Sequence, residues 1–249
     1  MSALTDKELL RYSRQILLDD WDLEAQIRLK NSTALIVGLG GLGCPVSQIL
    51  ARAGVGRLHL VDFDVIDESN LQRQTLFFEA DVGKSKVKTA HKRLREHNEL
   101  IAIDHTETKL TAENLPKLLT QVSPDLVIDC TDNFSVRDLL NKSCRALGVP
   151  LLSNSAIGEV GQIALFTKET GCYQCLFGEE GGDEQTCATS GVLASTVSVI
   201  GSMAAQVALD FLGRGRNPIA GKLVLWQGRT MTLRNVQFAQ DELCAACSG

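Results

Sequence analysis

Gly38-Leu39-Gly40-Gly41-Leu42-Gly43 follows a short apolar run, residues 33–37, and precedes apolar positions at helical spacing: Leu42, Val46, Ile49, Leu50 and Ala53. The glycines therefore stand at a strand-to-helix turn and fit G-x-G-x-x-G. Asp62 lies 24 residues past Gly38, at the end of the next strand expected over residues 57–61. Together these features read as a nucleotide site. Glycines let the backbone approach a phosphate, the helix N-terminus offers free N–H groups, and the carboxylate takes ribose hydroxyls.

The residues that follow separate hydride transfer from phosphate chemistry. Ser69-Asn70-Leu71-Gln72-Arg73-Gln74 comes after the second strand, and Lys86 opens the next helix, so Arg73 and Lys86 bring two positive charges to one pocket. Triphosphate chemistry needs them, because charge builds on the phosphate oxygens and on departing pyrophosphate. Asp132, in the run Asp129-Cys130-Thr131-Asp132-Asn133, is the natural Mg2+ ligand. The bland alternative is that Arg73 and Lys86 are solvated surface charges.

Eight cysteines form the second chemical set. Cys172-x-x-Cys175 and Cys244-x-x-Cys247 are two knuckles whose four thiolates complete a closed, structural Zn2+ site. A redox pair and a pair of disulfides are the competing readings. Cys44, Cys130 and Cys144 fall within helix and strand patterns and read as small buried residues. Cys187 stands alone in a Gly- and acid-rich loop, residues 178–190, expected to be mobile. The helix after that loop could lower its pKa, but carboxylates are nearer than any cation, so a reactive and an incidental cysteine both remain open.

Strand and helix patterns alternate from residue 33 to about 153, after a helical arm over residues 6–30. That order predicts an α/β, Rossmann-like and mostly parallel sheet with helices on both faces and ligands at the strands' carboxyl ends. Residues 161–166, 222–226 and 231–236 read as strands extending the sheet in the C-terminal half. Residues 191–212 carry one charge, Asp210, but their Ser, Thr and Gln content favours a buried helix over a membrane span. With 25 basic and 30 acidic side chains the chain has a formal charge of −5, which argues against a nucleic-acid partner. The N-terminus shows no signal-peptide pattern, and with reduced thiols this points to the cytoplasm.

On Gly38 to Gly43, Asp62 to Asp64, Ser69 to Gln74, Lys86, Asp129 to Asn133, both knuckles and the arm Arg11-Tyr12-Ser13-Arg14-Gln15, the chain resembles the MoeB/ThiF family. These are ubiquitin-activating-enzyme-like adenylyltransferases of sulfur-carrier pathways. The resemblance implies one domain over residues 1–249: a helical arm (1–30), a nucleotide-binding core (31–155) and a carrier-binding, zinc-bearing part (156–249). It implies that a small ubiquitin-fold carrier ending in Gly-Gly is adenylylated by Mg-ATP. Implied nucleotide contacts are Gly38, Gly40, Gly41, Gly43, Asp62, Asp64 and Ser69 to Arg73, with Lys86, Asp132 and Asn133. Arg14 would reach into a partner subunit's site, making a homodimer, and Cys187 matches a family cysteine able to link to the carrier. The chain ends two residues after Cys247, so a separate protein is expected to supply sulfur. Gly158 replaces an arginine usual in the molybdopterin branch and is more like the thiamine branch. A nucleotide-binding oxidoreductase and a non-catalytic nucleotide-sensing module are the alternatives weighed.

Overall fold

The computed structural model describes residues 3–178 and 191–247. The N-terminal arm is two helices rather than one: α1 (Asp6–Ile16) and α2 (Asp22–Lys30). Thr5 and Glu8 form a reciprocal cap at the start of α1. Between the helices the chain turns, and Trp21 is buried there against the core.

From there β1 (Thr33–Val37), α3 (Gly43–Ala53), β2 (Arg57–Asp62), α4 (Lys86–His97), β3 (Ala102–Glu107), α5 (Asn114–Val122), β4 (Leu126–Asp129), α6 (Phe134–Leu147) and β5 (Leu151–Ile157) alternate. The second half adds β6 (Val160–Phe166), a short α7 (Tyr173–Phe177), the long α8 (Ala194–Leu209), β7 (Lys222–Gln227) and β8 (Thr232–Gln237). All eight strands form one sheet in the order β3-β2-β1-β4-β5-β6-β7-β8. The first five are parallel, and β6, β7 and β8 continue the sheet antiparallel.

β1 shows why the centre of this sheet forms. Ala34 and Ile36 enter one hydrophobic cluster, while Leu35 and Val37 enter the cluster on the opposite face. All four are buried, as a parallel strand covered on both faces requires. α3 and α8 contribute to the first cluster, α5 and α6 to the second. The segment 194–214 is long and apolar enough for a membrane span by composition, yet it packs on α3, β5 and β6. Strand order reverses where β4 leaves on the other side of β1, and the glycine turn sits at that switch point.

Candidate active site and cysteine cluster

The glycine turn is held by backbone contacts that leave no room for side chains. Gly38 has φ +88°, and a Cβ there would lie 2.9 Å from the Cys130 carbonyl oxygen. A Cβ on Gly43 would come within 1.9 Å of the Gly38 carbonyl oxygen, so this glycine serves close packing and does not line the cavity. Asp62 ends β2 beneath the turn. One of its oxygens accepts the Leu39 N–H at 2.6 Å and the other the Asp64 N–H at 2.9 Å. Burial pushes the Asp62 carboxyl above its ordinary value, against the lowering effect of those two donors.

Over the turn lies a cavity of about 390 Å³. Gly38, Gly40, Gly41 and Asp62 line it, together with Asp64, Asn70, Arg73, Lys86, Asp132 and Asn133. Lys86 is buried, and its Nζ lies 3.0 Å from Asp64 Oδ2, so it is not a solvated surface charge. Arg73 donates to the Ser69 carbonyl at 3.0 Å. Asn70 belongs to a short turn capped by Asp67. Of the residues implied by the resemblance, Ser69, Leu71 and Gln72 do not line the cavity; Ser69 instead braces Arg73, and Leu71 packs on the core. Arg14 is exposed on α1 and does not line its own chain's cavity. Cys187 and residues 179–190 lie outside the described residues.

The strand-end carboxylate at β4 is Asp129, not Asp132. Asp129 is fully buried, with Arg137 Nε 3.4 Å away, and accepts from Thr131 and Ser153. Arg137 also donates to the Thr131 carbonyl at 2.6 Å, fixing the loop that carries Asp132. Asp132 is exposed into the cavity and makes no ion pair or hydrogen bond among the described residues, as suits a hard-cation ligand. Asn133 caps α6 by accepting the Val136 N–H. Sequence reasoning missed Gln74, Thr108, Lys109, Leu110, Arg137 and Val197 among the lining residues. Residues 108–110 follow the third strand and could have been found from the rule that ligands sit at strand ends. Nothing local pointed to Val197, which arrives on α8.

A second concavity of about 630 Å³ continues from the first, and Asp132, Arg137 and Ala156 line both. It runs over β5 to β8 past Phe134, Gln162, Leu225 and Arg234.

Against the middle of α6, at Asn141, the two knuckles meet. Cys172 Sγ is 3.6 Å from Cys244 Sγ, Cys175 Sγ is 3.6 Å from Cys247 Sγ, and Cys172 to Cys175 is 3.8 Å. Tetrahedral zinc with bonds of about 2.3 Å has sulfur–sulfur edges of roughly 3.8 Å, so the four thiols fit it. Asn141 Nδ2 donates to Cys172 Sγ at 3.5 Å and the Asp241 N–H to Cys175 Sγ at 3.4 Å, as outer donors to thiolates do. None of the four is in a disulfide. Burial pushes the Cys44 and Cys144 thiols up to about 12 and raises Cys130 as well, so these three are packing residues.

A switch-point cavity with a glycine turn, the cations Arg73 and Lys86 and a carboxylate unpaired among the described residues defines a nucleotide-binding α/β protein of the phosphate-handling kind. A model described as the ThiF family matches residues 12–246, and the chain belongs to that family. It is 45% identical over 249 residues to the molybdopterin-synthase adenylyltransferase of Escherichia coli (strain K12), covering 99% of each chain. To the sulfur carrier protein ThiS adenylyltransferase of the same organism it is 40% identical, over 99% of this chain and 98% of that one. Among solved structures, E. coli MccB with ATP superposes with a TM-score of 0.82 at 26% identity, covering 95% of this chain and 73% of the other.

Proposed function

We propose that this chain adenylylates the C-terminal glycine of a small ubiquitin-fold sulfur-carrier protein, activating it for sulfur transfer in cofactor biosynthesis. It is an adenylyltransferase. The observation that carries the reading is the convergence of Arg73, Lys86 and Asp132, unpaired among the described residues, on the glycine turn, in a cavity that opens onto a groove across the sheet. An oxidoreductase does not need that set, since hydride transfer builds no charge on phosphate oxygens.

In this reading the carrier's terminal carboxylate oxygen attacks the α-phosphorus of ATP. The bond from that phosphorus to the bridging oxygen breaks, and pyrophosphate leaves with the electron pair. Gly41 approaches the phosphates, and Asp62 takes the ribose. Asn70, Arg73 and Lys86 stabilise the charge that develops on phosphate oxygens. Asp132 would hold Mg2+, which supplies further neutralisation of that charge. The four-cysteine cluster would hold Zn2+ as a clip for the C-terminal segment.

The remaining partners follow the same logic. Arg14 lies on α1 between Leu10, 79% exposed, and Leu17, 73% exposed, at i, i+4 and i+7. That apolar stripe supports a homodimer in which Arg14 serves the partner subunit's site. Sulfur comes from a separate donor protein, and Cys187 acts after adenylylation, in sulfur transfer. A reaction that draws on ATP and reduced thiols belongs in the cytoplasm.

ATP–pyrophosphate exchange, run with a molybdopterin-synthase small subunit and with ThiS side by side, tests the proposal and ranks the carriers. Exchange that depends on either carrier supports it. Exchange with neither, but with free amino acids or acyl acids, rejects the ubiquitin-fold partner.

A further inference from the structure

α6 carries a polar stripe from the nucleotide cavity to the cysteine cluster. Asn133, Arg137 and Asn141 stand four residues apart, so they share one side of the helix. The stripe begins beside Asp132, where Asn133 caps α6. It continues through Arg137 and Asn141, both buried. At the cluster, Asn141 accepts the Tyr173 N–H at 2.9 Å and donates to Cys172 Sγ at 3.5 Å.

Tyr173 joins the two ends. It sits inside the first knuckle, next to Cys172, and is buried. Its ring packs on Phe166 and Phe177 with centroids 6.2 and 4.6 Å away, contacts that a phenylalanine would make as well. The hydroxyl has a different neighbour, because the Arg137 guanidinium lies beside it. Tyr173 Oη and Arg137 Nε are both buried, and neither completes a hydrogen bond among the described residues. A buried hydroxyl costs stability in an apolar cluster unless it serves a polar group. Here that group is the guanidinium that donates to the Thr131 carbonyl at 2.6 Å and lies 3.4 Å from Asp129. Thr131 directly precedes Asp132.

We propose that Tyr173 is a positioning residue: it fixes Arg137 from the knuckle side and so holds the loop on which Asp132 would bind Mg2+. Tyr173 does not line the nucleotide cavity, so it acts through Arg137. The inference rests on the adenylyltransferase reading. With four thiolates on Zn2+, residues 172–175 would form a rigid base for the ring. The cluster would then brace the Asp132 loop as well as clip the C-terminal segment.

The test is calorimetric binding of ATP to the full zinc-loaded chain, with saturating Mg2+ and without added Mg2+. Tyr173→Phe is expected to weaken binding in Mg2+ by about threefold or more, and to leave binding without Mg2+ within about twofold. Metal analysis should still find about one zinc per chain in that variant. In an Asp132→Ala background, Tyr173→Phe should change binding by less than about twofold, because the residue it positions is gone. Arg137→Lys should show the same Mg2+-specific loss, and adding Tyr173→Phe to it should cost little more. A smaller loss in Tyr173→Phe overturns the proposal. So does a loss that is equal in the two conditions or that persists beside Asp132→Ala, either of which would make the hydroxyl a packing group of the whole domain. Zinc lost from Tyr173→Phe would assign the hydroxyl to the knuckle itself and overturn it too. Wild-type protein that binds no ATP in either condition would instead reject the adenylyltransferase reading, and the positioning role with it.

Discussion

Lys86 Nζ lies 3.0 Å from Asp64 Oδ2, with the lysine side chain 8% exposed and the carboxylate 49% exposed. The ammonium is thus held in place before any phosphate arrives, while its partner faces the cavity. Preorganised charge of this kind does not have to reorient as the reaction proceeds. Lys86→Ala should lower pyrophosphate exchange on the order of 10²-fold or more, and Arg73→Ala similarly. Asp64→Asn should cost less, because it removes the tether and leaves the ammonium. Equal losses in Lys86→Ala and Asp64→Asn, measured in one exchange assay, would contradict that division of roles.

Asp132 differs from every other carboxylate around the turn in having no partner among the described residues. Asp62 is engaged with two backbone donors and Asp129 is buried beside Arg137. Asp132→Ala should abolish adenylate formation, and added Mg2+ should not restore it. Near-normal exchange in the variant would remove Asp132 from the proposed metal role.

The sulfur spacing predicts about one zinc per chain by metal analysis. Cys175→Ser or Cys244→Ser should lose that zinc and lower the thermal midpoint by several degrees, with a smaller effect on exchange in protein that remains folded. Zinc-free protein with four freely reactive thiols would refute the site.

Glu8 offers a pH test of the N-terminal arm. Burial alone would raise its carboxyl, but the Lys30 ammonium at 2.8 Å and two Thr5 donors outweigh this and hold it below its ordinary value of 4.5. A depressed carboxyl contributes stability above its unfolded value and loses it as pH falls through the folded one. Glu8→Gln should therefore cost roughly 1–2 kcal/mol at pH 7 by urea unfolding. The gap from wild type should begin to close as pH drops below 4.5. A gap independent of pH would show that the hydrogen bonds matter and the charge does not.

The local patterns in the chain were enough to expect the glycine turn, the alternation of strands and helices, and the paired knuckles. Each is written within a few residues or at a fixed period: the apolar run 33–37 is β1, Thr33–Val37. The break at Trp21 was missed because both halves of the arm carry helical patterns, and only burial of that ring against the core separates them. Which residues of 69–74 face the nucleotide cavity depends on how a short turn sits over α3, and residue type does not encode that. The partnering of Asp129 with Arg137 and of Lys86 with Asp64 joins residues 8 and 22 positions apart through the packing of helices on strand ends. The antiparallel half of the sheet pairs β6 with β7, strands distant in sequence, so no single stretch contains the surface that the second concavity runs over. Short-range spacing fixed what the site is made of, and the order and register of the sheet decided which of those groups meet.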